Sequence, residues 1–218
     1  MTSVIVAIDG SAASGKGTLA KKIAAHFDFA YLDSGSLYRA IGVSVLRKGG
    51  DPTNESQAVA AAKTLDIAQF TPEDLRTEAA GVAASQVAAI PSVRAAILQF
   101  QRDFAHTPPQ GKRGAVLDGR DIGTVVCPDA AAKIFVSASL EVRVGRRIKE
   151  LRGKGEAVIE ARVRADLEAR DARDSSRAVA PMKPAEDAWQ IDTSALDPDQ
   201  VFDLSKIFVA DKIAKAAV

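Results

Sequence analysis

Cysteine is almost missing from this chain. Cys127 is the only one, so no internal disulfide can form, and with no histidine or cysteine cluster near it the thiol is a poor metal ligand. It reads as a core residue of a protein from a reducing compartment. His26 and His106 stand apart from each other and are assigned to packing or surface. Net charge is missing as well: 29 Lys and Arg against 28 Asp and Glu leave +1, which gives no global electrostatic footprint for DNA, RNA or an anionic membrane. Any basic site must be local. No apolar run approaches the length of a bilayer, and the opening MTSVIVAIDG passes from a short apolar stretch straight into a glycine loop. A cytoplasmic monomer without a nucleic-acid or membrane partner is the expectation. There is no internal repeat and no low-complexity tract.

What is present is enough apolar material for one core: 47% of 218 residues is hydrophobic, which suits one domain, residues 1–218, better than two. Short apolar, β-branched runs at residues 3–8, 29–32, 115–117, 133–136 and 188–191 read as five strands, the last containing Trp189. Alanine-rich helical stretches lie between them. Such alternation predicts a doubly wound α/β fold, a parallel sheet with helices on both faces joined by right-handed crossovers. Residues 47–80, with turn signals at Gly49-Gly50-Asp51-Pro52 and Thr71-Pro72, and residues 151–157, LRGKGEA, read as insertions that move over a cleft.

Between the first strand and a helix over residues 15–27 stands Gly10-Ser11-Ala12-Ala13-Ser14-Gly15-Lys16-Gly17-Thr18. Small residues let successive amide N–H groups turn inward, the helix N-terminus adds positive potential, and Lys16 can reach outer phosphates, so the segment reads as a cradle for a nucleoside triphosphate. The strict pattern has Ser or Thr directly after the lysine. Here Gly17 takes that place and Thr18 follows, which moves the hydroxyl expected to meet Mg2+ one residue along.

Four other polar constellations could hold an acceptor. Asp33-Ser34-Gly35-Ser36-Leu37-Tyr38-Arg39 follows the second strand and opens a helix, where Ser34, backbone amides and Arg39 could receive a phosphate; an ordinary helix cap with a solvated arginine is the bland alternative. In the stretch from Ala84 to Arg94, Pro91 begins a helix and puts Arg94 in its first turn, the wrong end for a cation, so a compensating acidic or ligand partner is expected, with a surface arginine that tolerates the small cost as the alternative. Asp118-Gly119-Arg120-Asp121-Ile122-Gly123 comes directly after the third strand, at the sheet edge where open α/β folds bind ligands, although a self-paired turn would also satisfy these charges. In Arg170-Asp171-Ala172-Arg173-Asp174-Ser175-Ser176-Arg177, near the end of a helix beginning around residue 156, helical spacing puts positions 170, 173, 174 and 177 on one face. Three guanidiniums around one carboxylate suit an anion, whereas a solvated ion-pair face is the alternative.

Taken in order, GSAASGKGT, DSGSLYR, ASQVAAIPSVR, DGRDIGTVV and RDARDSSRAVAP resemble the bacterial cytidylate kinase family over most of the chain. The resemblance implies a P-loop nucleoside monophosphate kinase fold with a five-stranded parallel core, a monophosphate-binding region over residues 34–107 and a short lid over residues 150–160. It implies ATP on residues 10–18 with Mg2+, and CMP and dCMP as acceptors. Ser85, Arg94 and Asp121 would read the cytosine, Arg170 and Asp174 would meet the sugar, and Ser34, Arg39, Arg120 and Arg177 would hold the acceptor phosphate. Lys16, Arg120 and Arg177 are the catalytic candidates, while Arg146, Arg147, Arg170 and Arg173 could each reach the transferring group. Many members have a longer monophosphate-binding insert with a small antiparallel sheet; here residues 67–80 read as turn plus helix, and that sheet is expected to be missing. A P-loop kinase for another nucleotide or a metabolite is the nearest rival. A GTPase switch is disfavoured because the Asn-Lys-x-Asp guanine motif is not found.

Overall fold

A computed structural model describes residues 3–216. Five strands, β1 (Val4–Gly10), β2 (Ala30–Asp33), β3 (Gly114–Gly119), β4 (Ala132–Ser137) and β5 (Trp189–Asp192), form one sheet in the order β2-β3-β1-β4-β5. β1 runs parallel to β3 and β4, and β4 parallel to β5. β3 is buried along its whole length and β1 from Ile5 onward, which is why they read as unbroken apolar runs instead of alternating ones. Both β1 and β3 outrun their apolar letters: Ile8 still pairs with Asp118 and Asp9 with Gly119, so the ladder carries two carboxylates to the carboxyl edge of the sheet. Asp118 and Gly119 therefore belong to β3 and not to a turn after it.

By backbone proximity the chain forms two compact units, Met1–Leu32 with Phe104–Val218, and Asp33–Asp103. In the first unit, α1 (Lys16–Phe27) and α9 (Pro198–Ala216) cover the sheet, with Leu19, Ile23, Val201 and Val209 packed on Val6, Ile8, Ile134 and Val136. α7 (Leu140–Gly153) and α8 (Glu160–Ser176) form a hairpin whose Val144, Leu151, Val163 and Leu167 close around Ala12. α7 runs into the segment expected to be a lid and stops where Gly155 takes φ 77°; α8 then begins at Glu160, later than its letters suggest. Cys127 is buried, as its surroundings predicted.

The second unit contains α2 (Ser34–Arg47), α3 (Glu55–Lys63), α4 (Pro72–Leu75), α5 (Glu78–Val87) and most of α6 (Pro91–His106). α2 lies against α5 so closely that a Cβ on Gly42 would stand 2.7 Å from Ala83 Cβ, a fit that only small residues allow. Thr71 and Asp74 form a reciprocal capping box that starts α4. No strand occurs among the described residues between Asp33 and Gly114, so the small antiparallel sheet is missing, as expected.

Candidate active site

β1 ends at Gly10 and α1 begins at Lys16, and the turn between them passes through left-handed backbone at Ala13 (φ 59°) and Gly15 (φ 95°). Alternation of this kind aims consecutive N–H groups into one concavity. Gly10 has φ 149°, and a Cβ there would stand 2.0 Å from the Val136 carbonyl oxygen, so no other residue fits. Gly15 caps α1 without a side-chain acceptor, which leaves the amides of the first turn facing the loop.

Lys16 Nζ lies 4.0 Å from Asp118 Oδ1, and Tyr31 Oη donates to Asp118 Oδ2 at 2.8 Å. Gly17 supplies the remaining wall, since a Cβ there would come within 3.3 Å of Asp118 Oδ2. Together these form a cradle with one carboxylate and one ammonium at the mouth of the phosphate loop. Beside it, Asp9 is buried and accepts from the amides of Ile122 and Gly123, both at 2.8 Å. Burial pushes its pKa up to about 7 against the pull of those two amides, with Asp121 adding to the rise and Arg120 opposing it.

The outer side of the loop is gripped by α7. Arg146 donates to Ser14 O at 3.1 Å, to Thr193 Oγ1 at 2.9 Å and to Thr193 O at 2.7 Å. Arg143 donates to Ala12 O of the loop at 3.4 Å and to Ala138 O at 3.0 Å, and pairs with Asp171 of α8 at 2.6 Å. Next to the loop opens a cavity of about 440 Å³ lined by Ala13, Gly15, Thr18, Leu19, Thr193 and Val201 among others, a mixed apolar and polar wall of the size that takes a small ligand. Thr18, the hydroxyl expected to meet a metal, is on this wall, while Lys16 and Gly17 are α1 residues beside Asp118.

Arg120, Asp174 and Arg177 are brought together, a grouping that the expected helix face of residues 170, 173, 174 and 177 did not include. Arg120 Nε donates to Asp174 Oδ2 at 2.9 Å and its Nη1 to Gly119 O at 3.0 Å. α8 ends at Ser176, so Arg177 is not on a helix face; it returns by donating through Nε to Asp174 O at 3.2 Å, with Nη2 3.9 Å from Asp174 Oδ1. Burial pushes the Asp174 carboxyl up, yet Arg120, Arg177 and Arg170 together hold it below its ordinary value. The cluster is charge-assisted and more positive than negative, which suits an incoming anion.

In the second unit, Ser34 opens α2 after Asp33, whose carboxylate accepts from Ser36 N and Oγ. Ser34 Oγ accepts from buried Gln101 at 2.5 Å. Arg39 donates to Leu75 O at 2.7 Å. Ser85 is buried on α5, and buried Arg94 donates to Ala88 O at 3.2 Å while its guanidinium lies 5.4 Å over the Tyr38 ring. Arg94 thus meets the carbonyl end of α5, where the helix dipole is negative, and the face of Tyr38.

The cytidylate kinase family model matches residues 6–208. A cytidylate kinase of Rhodospirillum rubrum is 56% identical over 97% of this chain and all of its own length. One of Paramagnetospirillum magneticum is 57% identical over 92% of this chain and 94% of its own, and one of Granulibacter bethesdensis 53% over 96% and 98%. The chain belongs to the cytidylate kinase family. It is therefore a nucleotide-binding kinase, a transferase of phosphoryl groups. Among solved structures, an uncharacterized protein of Eubacterium ventriosum superposes with a TM-score of 0.55 at 16% identity, covering 95% of this chain and 98% of its own. A sugar kinase of a Janibacter species superposes with a TM-score of 0.51 at 13% identity, covering 95% of each chain. At such identities these two bear on the fold alone.

Letters alone missed Asp118 and Tyr31 as a pair, Asp9, Gln101, and the grip of Arg143 and Arg146 on the loop. For Asp118 a signal existed: an acidic residue ending a strand next to the phosphate-loop strand. For Asp9 and Gln101 none did, since each is one polar letter inside an element and its partner is distant in sequence.

Proposed function

We propose that this kinase transfers the γ-phosphoryl group of ATP to the phosphate of CMP or dCMP, giving ADP and CDP or dCDP. Family membership supports the reaction class, and the single observation that carries the donor half is the left-handed loop with Lys16 held beside Asp118. The acceptor phosphate is already ionised near neutral pH, so no strong general base is needed, and catalysis comes from positioning and charge neutralisation. The bond from γ-phosphorus to the β–γ bridging oxygen breaks as an acceptor phosphate oxygen bonds to that phosphorus in line. Loop amides and Lys16 bind the donor phosphates, while Arg120 and Arg177, with Ser34 and Arg39, take the acceptor phosphate. Arg170 and Asp174 meet the sugar.

The cradle between Gly17 and Asp118 fits a hard cation, because it offers a carboxylate and the room left by a missing side chain. Asp118, rather than Thr18, would hold Mg2+. When bound it would neutralise charge on the donor oxygens. Ser85, Arg94 and Asp121 read the base: cytosine presents an amine where uracil presents a carbonyl, so a carboxylate accepts from one and repels the other. A site built around such a bond rejects the wrong analogue by as much as ~10⁴ to 10⁵. The reading places the protein in the cytoplasm as a monomer in pyrimidine nucleotide metabolism.

The test is an acceptor panel of CMP, dCMP, UMP and AMP with ATP and magnesium. CMP and dCMP should be turned over fastest, Lys16→Ala should abolish transfer to all of them, and Asp121→Ala or Arg94→Ala should erase the preference for CMP over UMP. Absence of CDP from the wild-type reaction would refute the proposal.

A further inference from the structure

Asp9 sits at the centre of the sheet, opposite Gly119 on β3 and Phe135 on β4, one residue before the phosphate loop. Its two carboxylate oxygens are spent on two consecutive amides, Oδ1 on Ile122 and Oδ2 on Gly123, at 2.8 Å each. Those amides belong to the residues that directly follow Asp121. From the other side, the Asp121 carbonyl accepts from Val125 N at 2.9 Å and Val126 N at 3.2 Å, which closes a wide turn. The peptide unit that joins Asp121 to Ile122 is therefore held at both its polar ends, the carbonyl by its own turn and the N–H by a side chain from the neighbouring strand.

The fit around this clamp is tight. A Cβ on Gly123 would meet side-chain carbons of Lys133 at 3.2 and 3.3 Å and Asp9 Oδ2 at 3.5 Å. Lys133 cannot easily yield, because its ammonium is bound to Pro128 O at 2.6 Å and to Asp187 at 2.9 Å. A bidentate acceptor for two adjacent N–H groups fixes the orientation of a peptide plane as well as its distance. An uncharged isostere does only half of this: the asparagine amide has one acceptor oxygen, and its NH2 would face the second backbone donor. A buried carboxylate is costly to retain, and here it is used for geometry that a neutral side chain does not reproduce.

We propose that Asp9 is a positioning residue for acceptor-base recognition: by clamping the Ile122 and Gly123 amides it sets where the Asp121 side chain stands relative to the phosphate loop. This rests on the reading of Asp121 as a cytosine contact. Asp9 does not touch the nucleotide; it acts through Asp121. Because it also adjoins Gly10, a change at Asp9 could instead act through the donor loop, and the two routes give opposite kinetic signatures.

Steady-state rates of Asp9→Asn and Asp9→Ala at pH 8, with ATP and CMP varied separately, test it. Asp9→Asn, keeping one of the two bonds, should raise KM for CMP about tenfold, the effect of losing one buried bond to a charged group, and Asp9→Ala should raise it further. KM for ATP should stay within about twofold. The CMP-over-UMP preference should fall in the same order. In an Asp121→Ala background, Asp9→Asn should no longer change KM for CMP, because the residue it positions is gone. Equal rises in the two KM values, or the same effect of Asp9→Asn with and without Asp121, would overturn the proposal. If Asp121→Ala alone leaves the preference intact, the base-contact reading fails. If Asp121→Ala shifts it and Asp9→Asn does not, only the positioning role fails. Trp189 fluorescence melts of each variant show that the rates come from folded protein; should Asp9→Ala unfold, the Asp9→Asn comparison stands by itself.

Discussion

Asp118 is where structure adds most to the donor site, and three substitutions around it make a graded test. Its side chain is 5% exposed, 4.0 Å from Lys16 and hydrogen-bonded to Tyr31 at 2.8 Å. Tyr31→Phe removes one bond to a buried carboxylate and leaves the charge in place. Such bonds contribute about 1.5–3 kcal/mol, so if about half is felt in the transition state kcat/KM for ATP should fall about tenfold. Two unit charges 4 Å apart attract by about 4 kcal/mol at an effective dielectric of 20, and only part of this survives desolvation. Asp118→Ala loses that attraction together with the proposed magnesium contact, and should cost 100-fold or more, on the order of 3 kcal/mol. Asp118→Asn keeps the shape but takes the carboxylate charge away from the nearly buried Lys16 ammonium, so it should lose rate to a similar extent and unfold at a lower urea concentration than the parent. ADP formation at saturating CMP, followed in a coupled assay, reads the rates. Turnover of Asp118→Ala or Asp118→Asn within threefold of the parent would refute the reasoning and remove Asp118 from the donor site.

Three further outcomes follow from the packing. Gly10→Ala should destabilise the fold by about 3 kcal/mol or more, since its Cβ would overlap the Val136 carbonyl and the backbone sits at positive φ, and thermal melting should show a drop of many degrees. Asp174→Ala leaves Arg120 and Arg177 without their shared carboxylate, and urea unfolding should register a loss of about 3 kcal/mol, the range for breaking a buried ion pair. Asp9, with a pKa raised from 3.8 to about 7, keeps its proton in the folded state after the unfolded chain has lost it. Its contribution to stability is therefore complete below pH ~4, falls as pH rises to ~7 and is level above, so Asp9→Asn should gain on the parent across that interval in urea titrations and hold a constant difference beyond it.

Much of this was legible in the letters for physical reasons that differ from element to element. The five strands are short β-branched or apolar runs between helical stretches, and buried parallel strands leave that trace; their ends were misplaced because the ladder runs on through Asp9 and Asp118 after hydrophobicity stops. The phosphate loop is local in sequence, so its small residues and lysine sufficed. Helix ends were less legible: α8 starts at Glu160 and stops before Arg177, since charged residues on either side carry no apolar period. The geometry around Arg120, Asp174 and Asp9 was hidden because each contact joins segments far apart in the chain, and composition does not say which of many arginines meets which carboxylate.

Thr193 is a small residue with a large reach. Its hydroxyl proton is shared between the carbonyls of Ser14 and Ser137, at 2.9 and 3.1 Å, while Arg146 donates to the same oxygen. One side chain just past the final strand thus knots the nucleotide loop, the end of β4 and the α7 helix. A chain cut short before that knot would keep every letter of the glycine motif and still lose the shape that makes the motif useful, so truncation mapping of this enzyme should find its carboxyl-terminal limit beyond Thr193, far from where the motif itself is written.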